Sequence, residues 1–157
     1  MSLKMAYYPY KQVLLSLIIL SLINNFMRIT NARYINLDIN PKITLRFISG
    51  LPENSSVAKV RCQSKDDDLG DRTLNPGDQF DFSFRMNFFA TTLYFCSFTW
   101  GTKHNSFDVF KGGKSYCPNR PFKRVYCTWL LKDSGIYLAL GSNPPPESFK
   151  FIHPWLS

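Results

Sequence analysis

Histidine is nearly missing from this chain of 157 residues, which carries only His104 and His153. Its four cysteines, Cys62, Cys96, Cys117 and Cys127, include no Cys-x-x-Cys pair. Structural zinc sites draw on closely spaced Cys or His ligands, so these two scarcities exclude the common zinc patterns, and no metal ligand is expected. Nucleophilic catalysis needs a Ser or Cys beside a base, and neither histidine lies in a recognisable nucleophile motif. Two carboxylates drawn from Asp81, Asp108 and Asp133 could serve glycoside hydrolysis only in a shared cleft, and nothing in the sequence brings a pair together. The expectation is a protein with no catalytic residue and no cofactor. Blocks of like charge are missing as well. The densest basic pair, Lys123-Arg124, falls short of the run of about five that marks a nucleic-acid footprint, and there is no internal repeat.

What is present begins with an apolar run, Val13 to Ile23, preceded by Lys4 and Lys11 and followed by Thr30-Asn31-Ala32. Positive charge, apolar stretch and small residue in that order describe an export signal over residues 1–32. Asn24 and Asn25 end the run before the roughly 20 apolar residues that a membrane span needs. Cleavage after Ala32 leaves 157 − 32 = 125 residues, enough for one core and one domain over 33–157. All four cysteines fall in that part, and an even count in a small exported protein predicts two disulfides. Removing Lys4, Lys11 and Arg28 leaves 19 − 3 = 16 basic residues against 11 acidic, a net charge of +5. Outside the cell such a charge suits an anionic receptor surface or acidic wall polysaccharide; the compartment disfavours nucleic acid, and no membrane insertion is expected once the signal is removed.

The rest of the chain reads as strands. Ile43 to Ile48 is β-branched and aromatic between Pro41 and Gly50, and Ala58, Val60 and Cys62 alternate with Lys59, Arg61 and Gln63, so these two runs are expected to pair as a hairpin. The intervening loop Leu51 to Ser56 contains Asn54-Ser55-Ser56, the sequon that makes Asn54 a glycosylation candidate. After the turn residues Asn75-Pro76-Gly77-Asp78, Phe80, Phe82 and Phe84 alternate with polar neighbours, and the expected partner is Thr92 to Trp100. Apolar residues on both faces of that partner predict a central strand with apolar neighbours on both sides. Val125 to Leu131 and Ile136 to Leu140 form a hairpin around Asp133-Ser134-Gly135, and Phe149 to Ile152 adds a last strand after Pro144-Pro145-Pro146. Seven or eight short strands without helical periodicity predict an all-β fold, a small antiparallel β-sandwich or barrel stabilised by disulfides. Phe80, Phe82, Phe84, Phe95, Phe98, Trp100, Phe107, Phe110 and Trp129 are expected to fill its core, the rival being a sugar-binding surface cluster.

Several motifs now fall into one order: Cys62 with Ser64-Lys65-Asp66-Asp67-Asp68-Leu69-Gly70, Gly77, Phe80-x-Phe82-x-Phe84, Cys96-x-Phe98-x-Trp100, Phe107-Asp108-Val109-Phe110, Cys117, Cys127-x-Trp129 and Gly135-Ile136-Tyr137. In that combination the chain, from about Ile43 to Trp155, resembles the plant self-incompatibility proteins, or S-protein homologues, small secreted proteins associated with pollen rejection. The family commonly has Asp-Gly at the last turn, where this chain has Ser134-Gly135 and keeps the glycine. The resemblance implies a β-sandwich with two disulfides and a pistil-derived ligand acting on a pollen receptor, with broader cell-to-cell signalling as the safer expectation.

Within the motif, Asp66, Asp67 and Asp68 are suited to hydrogen-bond nearby backbone N–H groups, Leu69 to plug the core and Gly70 to take a left-handed conformation, with Lys65 or Arg72 as charge partners. The spacing of an EF-hand calcium loop is absent. Four cysteines allow three pairings. In a sandwich, Cys62 and Cys127 lie in full strands while Cys117 sits in a loop able to fold back on the strand of Cys96, so Cys62–Cys127 and Cys96–Cys117 are the expected bridges. Recognition of a cell-surface receptor is expected on the loops Leu51 to Ser56, Gly101 to Asn105, Lys111 to Ser115 and Pro118 to Lys123. The rival is binding of acidic cell-wall polysaccharide or microbial surfaces through Lys111, Lys114, Lys123 and Arg124.

Overall fold

The computed structural model describes residues 7–31, 40–87, 89, 91–113, 116–118, 120 and 123–157. It divides into an N-terminal unit, Met1–Leu37, and a second unit, Asp38–Ser157. The first holds one helix, α1 (Tyr7–Asn31). α1 runs straight through Asn24 and Asn25, because asparagine only mildly disfavours a helix interior. Its stretch Tyr10–Met27 is therefore long and apolar enough to cross a membrane, as a signal sequence also can be. Ala32 and the expected cleavage site lie outside the described residues.

The second unit is built from nine strands among the described residues: β1 (Ile43–Ser49), β2 (Ala58–Gln63), β3 (Asp68–Leu74), β4 (Gln79–Phe84), β5 (Leu93–Trp100), β6 (Lys103–Lys111), β7 (Val125–Lys132), β8 (Gly135–Leu140) and β9 (Lys150–His153). They form a five-stranded sheet in the order β4-β1-β7-β8-β9 and a four-stranded sheet in the order β3-β2-β5-β6. The all-β expectation holds. The β7–β8 hairpin and the final strand form as the pattern implied.

Two pairings differ from those expected. β1 and β2 are no hairpin: β1 pairs antiparallel with β4 and parallel with β7, while β2 lies in the other sheet between β3 and β5. β4 likewise pairs with β1 and not with β5, whose partners are β2 and β6. The reason is that the 50–57 and 75–78 connections cross between the sheets, and a period of two looks the same whichever sheet a strand joins. β1 beside β7 also makes the sandwich mixed, since one pair is parallel.

The core lies between the sheets, where Phe47 of β1 meets Phe98 of β5 with ring centroids 5.8 Å apart and Phe107 of β6 meets Trp129 of β7 at 5.3 Å. Phe98, Phe110 and Trp129 are fully buried; Phe80, Phe82, Phe84, Trp100 and Phe107 are partly buried, the first three because β4 is an edge strand. Phe95 is the exception to the expected aromatic core. It stands opposite Gln63 and Asp108 on the outer face of the four-stranded sheet and is 39% exposed, beside Leu93 at 36%. β5 is a central strand, between β2 and β6, as expected, but among the described residues its outer face, with Leu93 and Phe95, is left partly exposed. At the β7–β8 turn, Gly135 has φ +143°, and a Cβ there would lie 2.6 Å from the Phe151 ring and 2.8 Å from the His153 carbonyl. β9 packs against the turn that closely only because the side chain is absent.

Candidate functional site

Strand direction sends the connections alternately to two ends of the sandwich. The 50–57, 75–78, 101–102 and 133–134 connections lie at one end; the 64–67, 85–92, 112–124 and 141–149 connections lie at the other. Of the four loops expected to carry recognition, Leu51 to Ser56 and Gly101 to Asn105 belong to the first end, and Lys111 to Ser115 and Pro118 to Lys123 to connections at the second. Asn54 is exposed in the loop at the first end. The Ser64–Gly70 motif is at the second.

The turn of that motif is held by serine more than by aspartate. Ser64 Oγ accepts from the backbone N–H groups of Asp66 at 3.3 Å and Asp67 at 3.0 Å, and the Ser64 N–H donates to the Asp67 carbonyl at 2.7 Å. Asp68 behaves as expected: its carboxylate accepts from the Gly70 N–H at 3.0 Å, with Gly70 left-handed at φ +67°. Its charge partner is not Lys65 or Arg72. Arg61, next to it across the β2–β3 pair, donates to Asp68 at 2.6 Å, while the Arg72 guanidinium sits 5.1 Å over the Phe80 ring. The Arg61 hydrogen bond, then the Gly70 N–H, hold the Asp68 carboxyl below its usual pKa, and Asp68 in turn raises Arg61. Leu69 packs on the core as the motif implied.

This turn forms one wall of a cleft of 670 Å³. Leu69, Phe82, Phe84 and Tyr94 give it apolar surface, and Lys65, Asp66, Asp67 and Arg85 give it charge. The Tyr94 hydroxyl donates to the Asp67 carboxylate at 3.3 Å, and burial, reinforced by that carboxylate, raises the phenol pKa. The far wall is latched: Asn87 donates to Thr91 Oγ1 at 2.6 Å, Thr92 Oγ1 accepts from the Asn87 N–H at 2.9 Å, and the Arg85 guanidinium donates to the Asn40 carbonyl.

A second hollow, of 360 Å³, lies at the same end on the far side of β1. Arg120, Lys123 and Arg124 line it with Val125, Tyr126 and Leu140. Of the cations expected to bind anions, Lys123 and Arg124 are here, Lys111 ends β6, and Lys114 lies outside the described residues. Arg120 was not among them, since it stands apart in sequence from the Lys123-Arg124 pair.

The disulfides correct the expected pairing. They are Cys62–Cys96, with Cα atoms 4.1 Å apart, and Cys117–Cys127, at 5.8 Å. Cys62 and Cys96 are direct cross-strand partners on β2 and β5, so the nearest thiol lies within the sheet and not across the sandwich. Cys127 on β7 is met by Cys117 from the loop just before it.

Neither histidine lines either cleft. His104 exchanges backbone hydrogen bonds with Leu156, at 2.9 and 2.8 Å, and the His153 ring stacks 4.0 Å from Phe107, where burial lowers its pKa. Asp81 pairs with Arg46 at 3.1 Å, Asp108 faces Phe95, and Asp133 sits in the β7–β8 turn, so the three share no cleft. Among the described residues no group of three or more His, Cys, Asp or Glu could hold a metal ion.

With this geometry the chain can be set beside known proteins. The model of the family "Plant self-incompatibility protein S1" matches residues 44–155. The chain belongs to that family. It is 35% identical over 121 residues to S-protein homolog 2 of Arabidopsis thaliana, covering 77% of this chain and 65% of that protein. It is 39% identical over 114 residues to S-protein homolog 3 of the same plant, covering 73% and 70%. The chain thus spans just under two thirds of the length of S-protein homolog 2. A solved structure of an SPH protein, described as one of a family of small, highly stable, secreted proteins from plants, aligns with a TM-score of 0.53 at 17% identity, over 75% of this chain and 97% of that one. That likeness shows the fold.

Proposed function

We propose that this S-protein homologue is exported, loses residues 1–32 as a signal peptide, and acts outside the cell as a non-enzymatic recognition ligand for a cell-surface receptor. The observation that carries this reading is the 670 Å³ cleft beside the motif turn. Its walls are pinned by the Ser64 turn, by the Asn87–Thr91 latch and by the Cys62–Cys96 bridge one step along β5 from Tyr94, so its shape exists before a partner arrives. Preformed clefts with an apolar floor and a few placed polar groups are what binding sites require. Lys65 and Asp66 stand exposed on the rim and offer both signs of charge to a partner. A glycan on Asn54 would occupy the other end of the sandwich and leave the cleft open.

The test is equilibrium binding of the oxidised mature protein to plasma membranes from pollen and from vegetative tissue, over a range of salt. Saturable binding that reduction abolishes, and that a Lys65→Glu/Asp66→Lys exchange weakens about tenfold or more, supports the reading; tenfold is about 1.4 kcal/mol. Binding that is unchanged by reduction and by the exchange contradicts it.

A further inference from the structure

We infer that the hollow framed by Arg120, Lys123, Arg124 and Tyr126 is a binding site for a polyuronate, a carbohydrate chain carrying repeated carboxylates. The inference stands apart from the receptor reading, because it uses a different cleft.

Its first support is charge segregation. Between Asp108 and Asp133 the sequence contains no acid, and it carries Lys111, Lys114, Arg120, Lys123, Arg124 and Lys132. The fold brings three of those cations to one concavity. None of the three forms an ion pair with a carboxylate among the described residues. Like charges gathered without counter-charge repel one another, and an anionic ligand relieves that repulsion.

The second support is how the cations are held. The Cys117–Cys127 bridge closes the segment that carries them, and Cys117 and Cys127 are buried. At its end the Val125 N–H donates to the Lys42 carbonyl at 3.3 Å, and the Tyr126 carbonyl accepts from the Gly141 N–H at 2.9 Å. A segment tied at both ends by a disulfide and at its end by backbone hydrogen bonds has less conformational freedom to lose on binding.

The third support is the mixed chemistry of the lining, which points to a sugar acid over a bare inorganic anion. Beside the cations lie the half-exposed Tyr126 ring and Leu140, which is 49% exposed. An aromatic ring and an aliphatic edge suit the C–H face of a pyranose, while the Arg fork matches a planar carboxylate with two parallel hydrogen bonds. The volume, 360 Å³, lies at the small end of ligand-pocket sizes, so it would seat a short stretch of a polymer that continues along the open side.

The test is titration of the oxidised mature protein with short oligogalacturonates, with their methyl-esterified, uncharged counterparts, and with vesicles of neutral lipid containing phosphatidylserine. Saturable binding of the charged oligomer is expected, with a loss of about tenfold for Arg120→Gln/Arg124→Gln and a comparable loss on full esterification. Tyr126→Leu should weaken the oligomer severalfold and leave vesicle binding unchanged. Lys59→Gln, which removes an exposed cation from the four-stranded sheet, should change nothing. The inference is overturned if the esterified oligomer binds equally well, if Lys59→Gln costs as much as the Arg pair, if the vesicles bind and the oligomers do not, or if nothing binds.

Discussion

The Ser64–Gly70 turn and the Cys117–Cys127 loop lie at the same end of the sandwich, and each is anchored at a disulfide, yet their charges have opposite uses. In the turn, Asp67 accepts from Tyr94 and Asp68 holds both Arg61 and the Gly70 N–H, so two of three carboxylates are engaged by the fold. In the loop, none of the three cations has a carboxylate partner among the described residues. A run of like charge in a sequence therefore says little until its partners are known. The conspicuous acidic motif is largely architecture, and the less conspicuous basic segment is left available to a ligand.

The largest effects belong to the disulfides. Cys62 and Cys96 are separated by 34 residues and Cys117 and Cys127 by 10, so chain entropy assigns about 4 kcal/mol to the first bridge and about 3 kcal/mol to the second. Denaturant midpoints of Cys62→Ser/Cys96→Ser and Cys117→Ser/Cys127→Ser should follow that order. The second variant should also lose oligogalacturonate affinity, and a reversed order would show that the loop is the stronger structural element.

Gly70→Ala comes next. Nothing lies within 4 Å of the Cβ it would add, so the cost is that of a left-handed backbone alone, about 1 kcal/mol, and Gly70→Asn should cost less. A neutral Gly70→Ala, read from the melting midpoint, would mean that the turn relaxes freely. Charge neutralisation sharpens the contrast further. Asp68→Asn should lower the melting midpoint measurably, whereas Lys123→Gln should leave stability within about 0.5 kcal/mol of the parent.

The smallest effect is on pH dependence. Asp68 has a folded pKa below its ordinary value, so its contribution is present above that value and is lost as the pH falls through the folded pKa. The His153 pKa is also lowered, by burial against Phe107. An unfolded chain therefore takes up the imidazole proton first as the pH falls below about 6.5, and stability declines there. Melting curves across the two windows should show a step near neutrality that His153→Gln removes and an acidic step that Asp68→Asn reduces. A single step insensitive to both variants would contradict the assignment.

Much of the fold could be read from alternation and turn residues. Phe80-x-Phe82-x-Phe84, the Asp133–Gly135 turn and the strand after the proline run all stand where their patterns placed them. Strand partners could not be read that way, because β1 and β2 carry the same period whether they pair or face each other across the core. The disulfides followed from that error. With β2 beside β5, Cys62 meets Cys96 directly, a contact invisible until the sheets are known. The motif was recognisable but its mechanics were only partly so. Ser64 supplies the turn's hydrogen bonds, and Arg61, one strand back, supplies the countercharge. Sequence spacing does reveal one neglected signal, the acid-free stretch between Asp108 and Asp133, which picks out the segment that carries Arg120.

The most direct measurement is a backbone amide NMR titration of the oxidised mature protein with a short oligogalacturonate. The division of labour between the two regions predicts that shifts concentrate at Arg120, Lys123 to Tyr126 and Leu140 to Ser142 and leave Ser64 to Gly70 unmoved. Shifts centred on the Ser64–Gly70 turn, or spread evenly over every exposed lysine and arginine, would contradict it.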